Sequence, residues 1–441
     1  MTFNSNGHNG EQTTIHDVIV IGGGLMGSSA AWHLSNYGKE VVLLEKQGRV
    51  YEKGSSKGEA RVVRSSNIEG DTLWSYLHNT SVKEVETVIR FLNNKGTAIT
   101  MEGIYTTSPI SYIARHEELG QLLNNLKNQD ANFELASKVE EGESKFGVNL
   151  KEGTFLHREY NTHSGTFNPR KLIQLLHQAI ALKGYQIRYN SEVTGIEKKD
   201  GVYKITVDAN GKSILLSAKQ VVSAAGPYTG GLLQKIAPYY NSLIHPKRVF
   251  LTFLRIKNEH YNNLPVAQKQ QMKNGFPVID RTTNLECEEF FAMIESYDEQ
   301  DNPIIKIGGH FQRTNIGDID KVWQKKLNQK EINWSIEKIA SYLNFLNLPI
   351  MVNQIEVVDT YSCVYSLTET EVPFVTPILE DDNSIDENFV VIAGMSGVGA
   401  KGAMAYGLIA SNLLTNKKQE DPYYETAVAK LGYERIATKT L

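Results

Sequence analysis

The stretch "HDVIVIGGGLMGSSAAWHLSNYGKEVVLLEK", residues 16–46, constrains the fold more tightly than any other part of the chain. Val18 to Ile21 form an uninterrupted apolar run, the pattern of a parallel strand covered on both faces. Gly22, Gly24 and Gly27 then read Gly-x-Gly-x-x-Gly, a helix-compatible run extends from Met26 to Tyr37, Gly38 ends it, and "EVVLLE" supplies a second strand. This order of strand, turn, helix and strand is that of a dinucleotide-binding unit. The first glycine permits a tight turn, the second lets backbone approach a pyrophosphate, and the third allows close packing of helix on strand. The helix amino terminus would then face the phosphates with unpaired N–H groups and a favourable dipole. Glu45, closing the second strand, is placed to accept hydrogen bonds from ribose hydroxyls. An acid there disfavours NADP, whose 2′-phosphate it would repel, and leaves NAD and FAD open.

The remaining chain does not continue as a regular β–α series. Residues 73–95 read as helical, and 114–146 as charged, helical segments with loops. "GTFNPRKLIQLLHQAIALKGYQI" is a well-punctuated helix, with Asn168 as cap, Pro169 in the first position and Gly184 ending it. Residues 191–226 predict a β-meander with turns at Lys199–Gly201 and Ala209–Gly211, ending in a buried strand over Gln220–Ala224. From Arg248 to Phe311 the pattern is strand-like, interrupted by a polar section at 257–275 that reads as a surface insertion. "QKKLNQKEINWSIEKIASYLNFL" is an amphipathic helix, and the last 80 residues return to apolar strand, glycine turn and helix. The expected fold class is α/β plus α+β. A Rossmann-type domain (residues 1–95, 161–239 and 364–441) is interleaved with a mixed or antiparallel-sheet substrate domain (96–160 and 240–363), and residues 1–14 are a disordered lead-in.

Charge excludes some functions. Forty-six Lys and Arg against 50 Asp and Glu give −4 with no basic block, which argues against nucleic-acid and electrostatic membrane binding. Two cysteines, Cys287 and Cys363, are too few for a disulfide framework or a cysteine-rich metal centre; no metal is expected, and a reducing compartment fits. The membrane-like run from Phe389 contains Lys401 and five glycines, so it reads as a buried strand, a turn and a helix. The first dozen residues lack the apolar core of a signal peptide, and the expected location is the cytoplasm. Taken alone, Cys363 in "DTYSCVYSLTET" is a small buried hydrophobe.

Five segments in order change that reading, because together they resemble the monomeric sarcosine oxidase and N-methyltryptophan oxidase group of FAD-dependent amine oxidases. The first is the dinucleotide unit. The second is "GSSKGEARVVR", residues 54–64, where the resemblance puts Arg61 against the flavin and Arg64 on the substrate carboxylate; a guanidinium suits that task with two parallel donors. The third, "VVSAAGPYTGGLL", carries fold more than chemistry. In the fourth, "IIKIGGHFQ", Lys306 aligns with the lysine that promotes reaction of reduced flavin with O₂, and His310 with a substrate-site histidine. The fifth is "YSCVYSLTETEVPFVTP" with "VVIAGMSGVGAKGAMAYG". It aligns Cys363 with the cysteine that binds the flavin 8α-methyl group as a thioether, puts Tyr365 at the substrate, and aligns Lys401 with a lysine that helps hold the carboxylate. The turn with Gly397 and Gly399 would bring N–H groups to the pyrimidine end of the flavin. Ser56 and Lys57 replace histidines of the sarcosine oxidases, and Val398 replaces another, which points away from sarcosine itself.

The resemblance implies FAD, covalently held through Cys363, and oxidation by O₂ of the C–N bond of an N-substituted amino acid, giving an imine that hydrolyses and H₂O₂. The partners implied are that small substrate and O₂, with the protein a monomer. An amadoriase or a pipecolate or saccharopine-type oxidase would use the same skeleton, reshaped near 257–300. A flavin dehydrogenase would not need Lys306, and a non-catalytic FAD-binding assembly factor would need neither the Arg64/Lys401 pair nor Cys363.

Overall fold

The computed structural model describes residues 14–49, 53–127, 129, 131–283, 285–380 and 382–437. The lead-in expected at residues 1–14 lies outside them except for its last residue. Strands Ile15–Ile21 and Val41–Leu44 lie side by side and parallel. Gln186–Arg188 extends the sheet beyond the second strand, and Lys212–Ser223 lies beside the first. Ile385–Ala393 adds a further parallel strand, with Phe374–Leu379 antiparallel on it.

The continuous apolar runs have a simple cause: successive side chains serve two different cores. Val18, Val20, Val41 and Leu43 pack under the helices Leu25–Asn36, Thr72–Asn93, Pro169–Leu182 and Ala403–Thr415. Ile19, Ile21, Val42 and Leu44 face the opposite way, toward Ile205, Val207 and Tyr240. Local punctuation behaves as expected. The Asn168 side chain accepts the Lys171 N–H and Pro169 opens its helix. The meander turns at Asp200–Gly201 and Asn210–Gly211 all have positive φ, between 52° and 80°, as two-residue hairpin turns require.

The second sheet has nine strands among the described residues. Its centre is the run His245–Ile256, Pro303–Gly309 and Phe290–Tyr297, paired antiparallel. Val278–Arg281 pairs parallel with Ile110–Arg115, so the sheet is mixed. Helix Gln329–Phe345, held by a capping box between Asn328 and Glu331, packs its Trp334, Ile339 and Leu343 against this sheet. A small sheet of Arg61–Val63, Gly165–Phe167 and Tyr105–Thr107 completes the mixed α/β architecture.

Three details depart from the sequence reading. Segment 257–275 lies largely at the surface, as expected, but it forms helices Asn258–Asn262 and Val266–Gly275, which anchor it by burying Tyr261 and Met272 in the second core. One apolar anchor per short helix is too sparse a signal to register as periodicity. Segment 114–146 contains a strand, Phe133–Ala136, beside its helices. Strand Ile355–Leu367 pairs with His245–Ile256 as far as Leu367, running through the point where a division at 363/364 was expected. The membrane-like run from Phe389 is the strand, turn and helix expected, and no helix among the described residues is long and apolar enough to cross a membrane.

Candidate active site

The carboxyl ends of the parallel strands open onto a cavity of about 1440 Å³ that continues along the second sheet, the usual ligand position in an open α/β sheet. Every residue named above as binding cofactor or substrate lines it except Gly27. Gly27 lies beneath: a Cβ there would meet the Gly22 carbonyl oxygen at 1.8 Å. Gly22 has φ +94°, and its Cβ would stand 2.5 Å from the Ala224 carbonyl oxygen. Helix Leu25–Asn36 starts at Gly24 without a side-chain cap. The Glu45 carboxylate accepts the Gly23 N–H at 2.7 Å and the Gln47 N–H at 2.8 Å, so it shapes the turn while edging the cavity. A glycine cradle, a helix end whose Leu25 N–H meets only the Ser56 hydroxyl at 3.4 Å and a strand-terminal acid fit the pyrophosphate and ribose of FAD.

The loop before Arg61 is clasped to strand Ile355–Leu367. The Ser55 hydroxyl donates to the Val364 carbonyl at 2.8 Å, the Tyr361 hydroxyl to the Gly54 carbonyl at 3.0 Å, and the Lys57 ammonium lies 4.4 Å from the Tyr361 ring centre. Arg61 donates to the carbonyls of Ser55, Lys57 and Ala60, stiffening the loop from within. Cys363 packs with Val249, Leu251 and Tyr361 and also lines the cavity, so it is both buried and available. Burial pushes its thiol pKa up, against the pull of the Arg61 and Lys306 charges. Cys287 is exposed.

Lys306 lies in the middle of the second sheet, opposite Phe253 on one side and Met293 on the other, and is 1% exposed. Its ammonium donates to the Ala60 carbonyl and to the Glu295 carboxylate. Burial, helped by Arg61, lowers its pKa to about 7 against the attraction of Glu295.

At the other end, Arg64 forms an ion pair with Glu69. Lys401 is buried with its ammonium 5.3 Å from the Trp74 ring centre. The Glu69 side chain is 41% exposed to the cavity; partial desolvation there opposes its ionisation, yet Arg64 and Lys401 together bring its pKa down to about 2. Burial lowers Lys401 to about 8, with Glu69 working the other way and Arg64 adding to the drop. Behind Arg64, the buried Glu159 carboxylate accepts the Ser65 N–H, the Ser66 hydroxyl and, at 2.6 Å, the Ser164 hydroxyl, fixing the turn that follows the guanidinium. The His310 ring stands 2.8 Å from Glu286 but is not aligned as a hydrogen bond. Burial and Arg313 lower its pKa against the pull of Glu286. The Tyr365 ring lies against Gly397 (φ +83°), where a Cβ would come within 2.9 Å, and burial pushes its phenol to about 12. A Cβ on Gly399 would meet the Met26 side chain at 2.6 Å, so the last glycine turn presses on the start of the first helix.

Three buried or ion-paired carboxylates escaped the sequence reading: Glu69, Glu159 and Glu295. No local motif marks any of them, and the fold brings Lys306, Lys401 and the serine hydroxyls onto them.

The family model for FAD dependent oxidoreductases (DAO) matches residues 17–413. A probable sarcosine oxidase of Arabidopsis thaliana is 25% identical over 414 residues, 90% of this chain and 87% of the relative. An N-methyl-L-tryptophan oxidase of Yersinia pestis is 22% identical over 417 residues, covering 91% and 95% respectively. Among solved structures, a mutant of NikD, an unusual amino acid oxidase essential for nikkomycin biosynthesis, superposes with a TM-score of 0.70 at 17% identity, covering 95% of this chain and 97% of that one. With the family model spanning nearly the whole chain and the cavity built where that fold holds its dinucleotide, the chain belongs to the FAD dependent oxidoreductase family.

Proposed function

We propose that the protein oxidises the C–N bond of an N-substituted amino acid, giving an imine that hydrolyses in water and, from O₂, H₂O₂. Bound FAD would supply the redox chemistry, a two-electron oxidation of the substrate at the carbon beside nitrogen coupled to reduction of O₂. Gly22, Gly24 and the first helix would hold its pyrophosphate, Glu45 its ribose, and Arg61 with the Gly397–Gly399 turn its ring, with Cys363 as covalent tether. Arg64 and Lys401 anchor the substrate carboxylate, with His310 and Tyr365 beside it, and Lys306 supplies a fixed charge for the reaction with O₂.

One observation carries the reading. The Glu69 side chain is 41% exposed to the cavity, and against the desolvation of its surroundings Arg64 and Lys401 hold its carboxylate ionised, which is how a site selective for amino acids over simple amines should treat a carboxylate. A peroxide-coupled screen of N-methyl, cyclic and glycated amino acids tests the function, and silence with all three classes sinks it. The covalent link has its own test. Acid precipitation should leave the yellow colour with the pellet, and Cys363→Ser should release it to the supernatant; free FAD from the unaltered protein removes the tether.

The pKa of Lys401 adds a pH dependence. Its ammonium is charged below about 8 and neutral above. Affinity for a carboxylate without an amine, such as acetate, should therefore fall as pH rises through that value. Flavin absorbance reports the binding, and Lys401→Met should abolish the decline. A flat profile in the unaltered protein would take Lys401 out of carboxylate binding.

A further inference from the structure

The strand Phe290–Tyr297 carries an irregularity in its pairing with Pro303–Gly309. Ile294 faces Ile305 and Ser296 faces Ile304, leaving Glu295 as an extra residue between them. A bulge of this kind re-aims a side chain at the expense of a ladder position. Here it turns Glu295 onto Lys306, and the two form a salt bridge with side chains 8% and 2% exposed. Burying two charges is not a route to stability, since desolvation offsets most of their attraction.

Glu295 has further partners. Its carboxylate also accepts the N–H of Glu59 at 2.5 Å and of Ala60 at 3.0 Å. Lys306 in turn donates to the carbonyl of that same Ala60. The close approach depends on Gly58, at φ +105°, where a Cβ would lie 2.9 Å from the carboxylate and 3.1 Å from the Arg61 guanidinium. Two cations, Arg61 and Lys306, thus share one buried corner beside Cys363, with Glu295 the carboxylate that meets both electrostatically. Burial resists ionisation of Glu295, but Lys306, the Glu59 N–H and Arg61 outweigh it.

We propose that Glu295 is the positioning residue of the oxygen-reacting centre. It keeps Lys306 protonated beside Arg61 and pins the ammonium to the Gly58–Arg61 loop. This rests on the reading of Lys306 given above. Lys306 touches the reacting atoms, and Glu295 acts through it.

The test is Glu295→Gln, which keeps the shape and removes the charge. In the protein as purified, the rate at which an amine-selective acylating reagent modifies Lys306, followed by peptide mass spectrometry against pH, gives the titration midpoint of that side chain. The midpoint should fall by at least about one pH unit in E295Q, which is tenfold in the proton equilibrium. In stopped flow, the decline in O₂ reactivity of the reduced enzyme with rising pH should move down by the same amount, while reduction by substrate stays within a few-fold. Glu295→Asp, which restores the charge on a shorter arm, should return the midpoint most of the way. An unmoved labelling midpoint in E295Q, or equal damage to both half-reactions, overturns the proposal. If E295Q fails to fold, Gly58→Ala takes its place, since a Cβ there would lie 2.9 Å from the Glu295 carboxylate and push it off Lys306: a midpoint lowered by at least about one pH unit sustains the proposal and an unmoved one overturns it. Failure of the underlying reading looks different: Lys306→Met would then leave O₂ reactivity intact, while the labelling midpoint still decides whether Glu295 sets the charge of Lys306.

Discussion

Replacing Lys306 by methionine should slow reoxidation of the reduced enzyme by O₂ about 10²–10³-fold, the size of effect seen when one preorganised electrostatic group is deleted from an active site. Reduction by substrate should change only a few-fold. The asymmetry follows from where charge develops. Electron transfer to O₂ builds negative charge on a small molecule inside a dry cavity, where a fixed ammonium acts at full strength. Lys306 meets that need: it is buried in a sheet interior and its ammonium is held by the Ala60 carbonyl and Glu295. Methionine fills the stem but leaves the buried Glu295 carboxylate without its ammonium partner, with the Glu59 and Ala60 N–H groups and Arg61 still around it; breaking such a pair costs up to about 3–5 kcal/mol. A fall in melting temperature is therefore expected along with the kinetic one. The double variant K306M/E295Q separates them, because removing both charges should restore much of the stability and none of the O₂ reactivity. Equal slowing of both half-reactions in K306M would undo the assignment.

The parts of this molecule that could be read from sequence are those where one residue type has one physical use. Gly22 and Gly27 admit no side chain because a backbone carbonyl occupies the space, and such glycines mark a turn whatever surrounds them. Asn168 and Pro169 punctuate a helix by local geometry alone. Asp200–Gly201 and Asn210–Gly211 announce their hairpins in the same way. The ordering of Arg61, Arg64, Lys306, Cys363 and Lys401 along the chain was legible only through family resemblance, since lysines and arginines on strands are ordinarily solvated. The carboxylates that govern those cations were not legible at all. Glu295 reaches Lys306 through a bulge, and bulges leave no periodic trace. Glu159, at the end of strand Thr154–Glu159, gathers Ser65 and Ser66 from the loop after Arg61–Val63 and Ser164 from the turn before Gly165–Phe167. Sequence reasoning thus found the positive charges of the site, and the fold supplied the negative ones that set how strongly each is held.

That balance makes the second large effect fall on substrate binding. Arg64→Ala should lower kcat/KM by roughly 10²–10³-fold, within the range for truncating one partner of a buried charge-assisted pair. Most of the loss should appear in KM, because a carboxylate anchor is engaged equally before and during bond breaking. Glu69 decides the rest. In the structure it already occupies Arg64, so a substrate carboxylate must displace it or share the guanidinium with it. Once Arg64 is gone, Glu69 keeps only Lys401 as a compensating cation, and its negative charge, facing the same space, adds repulsion to the lost attraction. Glu69→Gln alone should therefore lower KM, and R64A/E69Q should recover at least about tenfold in kcat/KM over R64A, about 1.4 kcal/mol; the difference between that gain and the gain from E69Q alone is the coupling the double-mutant cycle resolves. Strict additivity of the two substitutions would mean that Glu69 and the substrate do not compete for Arg64. The carboxylate would then have to be held elsewhere in the cavity, with Lys401 as its remaining cation.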